Sequence, residues 1–437
     1  MKNLFLCALL FFVFQTGNAQ NSGVNKAIVI ASPASADVSS ERLKRIDQNI
    51  SQWVEDGKTN GAVALILRNG KLVYHKAFGF DDPGKTIPMR TDHIFRIASQ
   101  TKAITSVAVM MLFEEGKFLL DDPISRYIPE FSKPVVLDSF IARDSSYTTI
   151  PAKSEITIRQ LLTHTSGIGY PQIGSAQANA IYAKANVTAG LGVEEGRLLA
   201  TDMKKVGRLP LMHQPGARFT YGLNTDVLGY LVEVVSGMPL DRFFKTRIFD
   251  PLGMKDTYFY VPESKHHRVV SLYQEVNKKL IRVESEIDQN GVFMVDYPKT
   301  KGTYFSGGAG LSSTALDYAI FLQMILNEGE YNGKRLLSRN TVRMMTMNQI
   351  GEINRGVNKF GLGFGIITEK GSASCPHRKV CLNGAELLQQ LTGQIQKKTW
   401  LALFTGRSGV PRMAKQRINT RCWCIRHWQI SSIVFEI

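Results

Sequence analysis

The pattern of apolar and polar positions begins with one amphipathic helix. From Ser40 onward, apolar residues recur every three or four positions and form a single face made of Leu43, Ile46, Ile50, Trp53 and Val54. Ser40 can cap this helix and Gly57 can end it. The pattern therefore predicts a helix that packs one face against a core.

The next stretch is typical of two strands joined by a tight turn. The segments Ala62–Arg68 and Lys71–Phe80 flank Asn69-Gly70. Asn-Gly suits a two-residue type I′ turn, because both residues tolerate a positive φ. A β-hairpin is therefore predicted at this position.

From Ser99 the pattern becomes helical and stays so through the middle of the chain. Ala103–Leu112 is almost entirely apolar, so this helix is expected to be buried on most sides before it ends near Gly116. Further helices are predicted at the capping box Thr157–Gln160, over Leu223–Val235 before Gly237, and from Ser313-Thr314 towards Gly329. Phe360–Thr368 returns to strand-like residues. This order predicts a sheet-bearing lobe built from both chain ends, with a helical lobe inserted at about residues 100–300.

The N-terminus has the pattern of a secretory signal peptide. Lys2 precedes the apolar run Leu4–Phe14, which is too short to span a bilayer, and small residues end at Ala19. Cys7 lies inside the apolar run, so a lipoprotein-type site is not indicated. We predict a cleaved signal peptide over 1–19, a linker over 20–39, and a periplasmic or secreted protein with no stable membrane anchor. An N-terminal anchor or a buried strand is the alternative.

Composition and charge narrow the possible functions. The 437 residues are 44% hydrophobic and 21% charged, which fits a globular protein with one two-lobed catalytic unit or two to three domains. The formal net charge is +16, and half of it comes from Gly371–Ile437, with 10 Lys or Arg and 2 Asp or Glu. The rest of the chain has no basic stripe, so nucleic acid is not an expected partner.

A serine and a lysine three residues apart stand at the start of the first buried helix. Ser99 and Lys102 would lie on one face of a helical turn, and the helix N-terminus supplies positive potential and free N–H groups. These features favour an ionised serine nucleophile and a lysine that accepts or relays a proton. Ser-x-x-Lys alone also fits a capped helix with a surface lysine, but Lys102 stands at the entrance of a core helix.

Two later segments add candidate chemistry. Leu161–Gly167 contains His164, and Pro215–Asn224 contains Tyr221, which follows a Pro-Gly turn and directly precedes a helix. A phenol held near a lysine ammonium can ionise and act as a general base. Tyr221 therefore extends the serine–lysine pair to a candidate catalytic site.

With these motifs the chain resembles the serine β-lactamase and penicillin-binding protein superfamily, specifically its class C β-lactamase and family VIII carboxylesterase branch. The resemblance also rests on Gly229–Gly237, Arg247–Met254, Gly307–Thr314 and Phe360–Gly365. It implies an α/β (α+β) fold of the β-lactamase/transpeptidase type. In that fold an antiparallel sheet flanked by helices is built from both chain ends, an all-helical lobe is inserted, and the site lies between the lobes.

The resemblance implies a role for each matching residue. Ser99 would be the acylated nucleophile, with its backbone N–H as half of the oxyanion hole, and Lys102 would assist its deprotonation. Tyr221 would be the base and later the acid for the leaving group. Asn224 and Gly308 are further candidates for substrate binding. Neither a cofactor nor a metal is implied.

The spacing after the tyrosine departs from the β-lactamase branch. That branch has Tyr-x-Asn, whereas Asn224 comes three residues after Tyr221, which favours the esterase branch and argues against an Asn contact to a β-lactam side chain. His164 does not indicate a Ser-His-Asp triad, because the matching histidine of the family is structural. The sequence contains neither G-x-S-x-G nor H-E-x-x-H.

The tail after Thr368 does not fit the family. It holds four of the five Cys and three of the four Trp, and it lacks the Lys-Thr-Gly or Trp-Gly-Gly strand that supplies the second oxyanion N–H. Read one nucleotide earlier, codons allowed for Ser374–Lys415 can encode a strand-like segment with Trp-Gly-Gly. We interpret 371–437 as an aberrant tail, out of frame with a hydrolase domain over 40–370; a divergent or appended tail is the alternative.

The sequence thus predicts an exported serine hydrolase that forms an acyl-enzyme on Ser99 and acts on a small-molecule ester or β-lactam. Esters are favoured by the spacing after Tyr221. The alternatives are a D-Ala-D-Ala carboxypeptidase or D-amino-acid peptidase, and a catalytically impaired product of the altered tail. The oligomeric state stays open.

Overall fold

The computed structural model describes residues 27–82, 84–277, 279–283, 286–288, 291–366, 368 and 400–406. Its helices are α1 (Ser40–Glu55), α2 (Thr101–Glu114), α3 (Ile158–Leu162), α4 (Ala176–Lys184), α5 (Leu199–Val206), α6 (Asn224–Ser236), α7 (Leu240–Phe244), α8 (Asp250–Leu252), α9 (Ala315–Leu326) and α10 (Arg339–Met345). Its strands are β1 (Val29–Ile30), β2 (Gly61–Arg68), β3 (Lys71–Gly79), β4 (Phe95–Arg96), β5 (Val135–Ile141), β6 (Ser146–Pro151), β7 (Tyr273–Val276), β8 (Lys279–Arg282), β9 (Glu286–Asp288), β10 (Gly291–Phe293), β11 (Ser312–Ser313), β12 (Glu330–Tyr331), β13 (Lys334–Arg335), β14 (Lys359–Phe360), β15 (Gly365–Ile366) and β16 (Trp400–Gly406). The predicted signal peptide over 1–19, and the tail after residue 370 except for β16, lie outside the described residues.

One four-stranded sheet draws on both ends of the described chain, as predicted. Its order is β1-β3-β2-β16. The antiparallel strands β2 and β3 are joined at Asn69 and Gly70, whose φ values of 52° and 76° confirm the type I′ hairpin. β16 is antiparallel to β2 on its other edge, pairing Trp400 with Arg68, whereas β1 runs parallel to β3.

Strand β2 is buried on both faces, which explains why its sequence is continuously apolar and does not alternate. One set of alternate side chains joins the main core with α2, α6 and α9, namely Val63, Leu65 and Leu67. The other set packs in a second core with the apolar face of α1, namely Ala62, Ala64 and Ile66. The sheet therefore lies between α1 and the inserted helices.

Helix α2 is the centre of the inserted lobe. Every residue from Thr101 to Leu112 is buried, as the apolar run predicts, and α2 packs against α6 and α7. The predicted capping box at Thr157 opens α3, Gly237 ends α6, and Thr314 caps α9. The insertion also carries the hairpins β5–β6, β7–β8 and β9–β10 besides its helices. Among the described residues, no helix has both the length and the apolar character needed to cross a membrane.

Three local expectations need correction. Residues 27–39 are not a linker, because β1 joins the sheet and Ala36 and Val38 are buried against α1. The cap of α1 is Ser39, whose side chain accepts from the Arg42 N–H, and not Ser40. Phe360–Thr368 does not extend the main sheet: β14 and β15 pair with each other across a turn where Gly363 has a φ of 83°. The strand at the edge beside β2 comes instead from β16.

Buried Asp317 makes part of the stability depend on pH. Its Oδ2 accepts from the Asp256 N–H at 2.6 Å and the Thr257 hydroxyl at 3.0 Å, and burial raises its pKa to about 6. A raised carboxyl pKa stabilises the fold below the unfolded pKa, and this contribution is lost as pH rises through 6. Relative to Asp317→Asn, the wild type should gain about 2 kcal/mol of unfolding free energy between pH 7 and pH 4. Urea unfolding of both proteins at several pH values measures the difference, and a constant difference would contradict it.

Candidate active site

Ser99 lies at the point where the chain enters helix α2. A short 3-10 helix, Ala98–Gln100, runs directly into α2, so the Ser99 backbone is at the helix N-terminus. Ala98 has a φ of 41°, a left-handed conformation that costs energy for a residue with a Cβ. The Ile97 N–H donates to the Leu311 carbonyl at 2.9 Å and fixes the strand that precedes this turn. The turn presents a partly exposed Ser99 at a site of positive potential.

Lys102 is held on the inner side of Ser99. Its side chain is buried, and its Nζ donates to Ser99 Oγ at 3.2 Å and to the Gly308 carbonyl at 2.8 Å. The loop that carries Gly308 is itself tied to α2, because the Thr105 hydroxyl donates to the Gly307 carbonyl at 2.6 Å. The Lys102 ammonium therefore donates to two acceptors, one of which is the oxygen of Ser99.

Tyr221 reaches the same serine from the other side. Its Oη lies 2.6 Å from Ser99 Oγ, and Lys102 Nζ lies 4.7 Å from the centre of its ring. The next residue must be small, since a Cβ at Gly222 would collide with the carbonyl of Ile168. The structure thus brings together Ser99, Lys102 and Tyr221, although Tyr221 is 122 residues away along the chain.

The Tyr221 ring is held in a stack of three rings. It stacks on His164 with centroids 5.1 Å apart and on Tyr170 with centroids 6.0 Å apart. Burial, together with the positive charges of Lys102 and Arg355, lowers the pKa of His164 well below its usual value, so this imidazole is neutral at neutral pH. His164 contacts the ring of the tyrosine and not the serine, in agreement with a structural role.

The two residues expected to bind substrate, Asn224 and Gly308, are both buried and bonded within the protein. Asn224 is fully buried; its Nδ2 lies 3.0 Å from His164 Nδ1 and its Oδ1 accepts from the Ser166 hydroxyl at 2.5 Å. Gly308 is also buried, with its carbonyl bound to Lys102 and its N–H bound to Asp226. Because these polar groups already have partners inside the protein, Asn224 supports the ring stack and Gly308 supports the lysine.

The sequence reasoning missed Tyr170 and Asp226. Tyr170 donates to the Ala189 carbonyl at 2.9 Å, and burial, with the nearby Asp226, raises its pKa well above the usual value. Asp226 is fully buried in the first turn of α6, and its Oδ1 accepts from the Gly308 N–H at 3.2 Å. Both stand close to motifs that the sequence singles out, but an isolated Tyr or Asp at such a position carries no signal of its own.

The paired histidines His266 and His267 lie in a short 3-10 helix, Glu263–Arg268, where His266 Nε2 is 2.8 Å from the Val261 carbonyl oxygen. In the part of the chain that the structure describes, no cluster of His, Cys, Asp and Glu could hold a metal ion. Apart from the backbone of β16, the tail segment in which the resemblance places a third motif is outside the described residues.

Comparisons with known proteins give a family match and several similar proteins. The family model described as Beta-lactamase matches residues 46–400. Esterase EstB of Burkholderia gladioli is 31% identical over 289 residues, which cover 64% of this chain and 69% of the esterase. A putative D-alanyl-D-alanine carboxypeptidase of Escherichia coli K12 is 30% identical over 353 residues, covering 76% of this chain and 74% of that protein. The solved structure of EstCE1, a hydrolase with promiscuous acyltransferase activity, has a TM-score of 0.65 at 25% identity and covers 78% of this chain and 87% of its own.

Proposed function

The chain belongs to the beta-lactamase family, and from this premise we propose that it is an exported serine hydrolase that forms an acyl-enzyme on Ser99 and hydrolyses carboxylic esters. One observation carries the proposal: Ser99 Oγ lies between Tyr221 Oη at 2.6 Å and Lys102 Nζ at 3.2 Å. A hydroxyl with a proton acceptor and a cation within hydrogen-bonding distance is arranged for nucleophilic attack.

In acylation, Ser99 Oγ forms a bond to the ester carbonyl carbon while Tyr221 takes the serine proton. The bond from that carbon to the alcohol oxygen then breaks, and Tyr221 returns the proton to the leaving alcohol. In deacylation, water attacks the acyl carbon, Tyr221 takes its proton, and Ser99 Oγ regains a proton as it leaves. The Lys102 ammonium contributes by stabilising negative charge on Ser99 Oγ and Tyr221 Oη, the two oxygens that exchange the proton.

The negative oxygen of each tetrahedral intermediate needs hydrogen-bond donors. The Ser99 N–H, at the helix N-terminus, is one such donor in this proposal. The second donor would come from the strand that the tail lacks in the given reading frame. Acylation of Ser99 is therefore the step most directly supported, and an impaired turnover is the expected consequence of the tail.

Ester substrates are favoured over β-lactams by the position of Asn224. An amide side chain in the cleft would suit the side-chain amide of a β-lactam, but Asn224 is buried and bonded to Ser166 and His164. The esterase relatives support the same choice. The D-alanyl-D-alanine carboxypeptidase relative supports a second candidate, release of D-alanine from a peptide.

The substrate class can be tested with three assays on the full chain. We expect kcat/KM for a short p-nitrophenyl ester to exceed that for nitrocefin by about tenfold or more, because a β-lactam lacks its amide contact. Release of D-alanine from a D-Ala-D-Ala peptide is the third assay. Faster nitrocefin turnover would reverse the preference, and faster D-alanine release would favour the peptidase.

Export and the interpretation of the tail each have a direct check. N-terminal sequencing of the secreted protein should begin at Gln20, and a mature protein that begins at Met1 would exclude a cleaved signal peptide. Resequencing the gene across Thr368–Cys375 decides whether the frame changes there through a sequence error. If resequencing finds the same frame, a natural frameshift is the remaining explanation, and comparison with a sister gene would test it.

A further inference from the structure

A buried carboxylate is hydrogen-bonded to the loop that holds Lys102, and the mechanism above does not use it. Asp226, in the first turn of α6, has no exposed surface. Its Oδ1 accepts from the Ser306 hydroxyl at 2.5 Å and from the Gly308 N–H at 3.2 Å. The Gly308 carbonyl in turn accepts from Lys102 Nζ at 2.8 Å. One residue, Gly308, thus connects the carboxylate to the lysine through both of its backbone polar groups.

The contact between Asp226 and Gly308 is close enough to fix the position of the loop. A Cβ at position 308 would collide with the Asp226 carboxylate, so only glycine fits there. The Ser306 hydroxyl also accepts from the Ala309 N–H at 3.0 Å, which closes the turn around the carboxylate. The position of Asp226 therefore sets the direction of the carbonyl that holds Lys102.

The charge of Asp226 has a specific counterpart. A carboxylate without exposure is costly unless positive charge compensates it. Burial raises the pKa of Asp226, and the Lys102 ammonium opposes that rise, as do the bonds from Ser306 and Gly308. The positive end of α6 adds a smaller favourable contribution. Lys102 is therefore a nearby cation whose charge favours the ionised form of Asp226.

Two buried tyrosines and a neutral histidine lie around Asp226 and Lys102. Tyr170 and Tyr304 face the carboxylate, and burial, together with its negative charge, raises the pKa of each phenol. On the other side, Lys102 faces the Tyr221 ring, and its charge helps to keep His164 neutral. Asp226 is therefore the one carboxyl group in this set, and it accepts the bonds from Ser306 and Gly308 that a carboxylate would accept.

We propose that Asp226 is a positioning residue of this site: it fixes the Gly308 peptide, whose carbonyl directs Lys102 at Ser99, and it places a negative charge near that lysine. The proposal rests on the proposed function of Ser99, Lys102 and Tyr221. It assigns the lysine the role of a fixed cation and leaves proton transfer to Tyr221. Without the carboxylate, the Gly308 carbonyl should be less well fixed, and Lys102 should lose a nearby negative charge.

The test compares wild type and Asp226→Asn in the rate of Ser99 labelling by a fluorophosphonate across pH. The Asn side chain can still accept from Ser306 and Gly308 but carries no charge. We expect labelling to slow by about tenfold to a hundredfold, and its alkaline limb to move down by about one pH unit, since the substitution removes a negative charge from the surroundings of a cationic site. Asp317→Asn, which removes another buried carboxylate, is the matched control and should leave the alkaline limb unchanged.

The outcomes separate this proposal from the function on which it rests. A folded wild-type chain that does not label overturns both. Wild-type labelling with an unmoved alkaline limb in a folded Asp226→Asn variant overturns only the role of Asp226, and shows that the carboxylate serves packing alone. If that variant does not fold, Ser306→Ala provides the second test: it keeps the charge but loosens the carboxylate, so labelling should slow several-fold with the limb in place. An unchanged rate in Ser306→Ala would then overturn the proposal.

Discussion

Replacing Ser99 by alanine should abolish covalent labelling by a fluorophosphonate and reduce ester turnover by about 10⁴-fold to 10⁶-fold. The reason is chemical: alanine has no atom that can form the acyl bond, whereas Lys102 and Tyr221 remain in place around an empty position. The loss should appear in the maximal rate, because the groups that bind the remainder of the substrate are unchanged. Intact-protein mass spectrometry after labelling gives the direct measurement.

The matched control for Ser99→Ala is Ser236→Ala. This change removes a hydroxyl at the C-terminal end of α6, whereas Tyr221 precedes the N-terminal end of that helix. Ser236 donates to the Val232 carbonyl at 2.6 Å, and the 13 residues of α6 place it about 20 Å from Tyr221. The control should label at the wild-type rate. Equal labelling of Ser99→Ala and wild type would show that another residue is the nucleophile, and the proposed mechanism would be wrong.

Replacing Tyr221 by phenylalanine should slow acylation by about 10²-fold to 10⁴-fold, the usual contribution of a general base. Phenylalanine keeps the ring between His164 and Tyr170 and beneath Lys102, so the loss isolates the hydroxyl that lies 2.6 Å from Ser99 Oγ. Without the Tyr221 oxygen, the residue at position 221 has no atom that can accept the proton of the Ser99 hydroxyl. The rate of labelling under single-turnover conditions measures the effect.

Tyr331→Phe is the control for the tyrosine variant. The Tyr331 hydroxyl accepts from the Ile28 N–H at 3.1 Å, so the change removes one phenolic oxygen at the sheet edge and leaves the site intact. It should label at the wild-type rate and have a similar melting temperature. A Tyr221→Phe protein that labels as fast as this control would exclude Tyr221 as the base and move that role to Lys102.

Much of the fold follows from short-range rules. Asn69-Gly70 adopts the predicted turn because few residue pairs tolerate two positive φ values, and Gly237 ends α6 for the same reason. The capping box at Thr157 depends on bonds that span three residues. Where pairing partners are distant, prediction was weaker: β1 lies within the expected linker, and the edge strand beside β2 is β16 and not Phe360–Thr368.

The sequence by itself determined the serine–lysine pair, because residues three apart on one helix lie on the same face whatever the remainder of the fold does. It also pointed to Tyr221 through the motif that surrounds it. Only the tertiary structure decided which way the neighbouring side chains face. Asn224 turns inward to His164, and Asp226 bonds to the Gly308 peptide, because these positions on α6 pack against loops far away in the chain. Burial depends on such long-range packing, and local spacing contains no information about it.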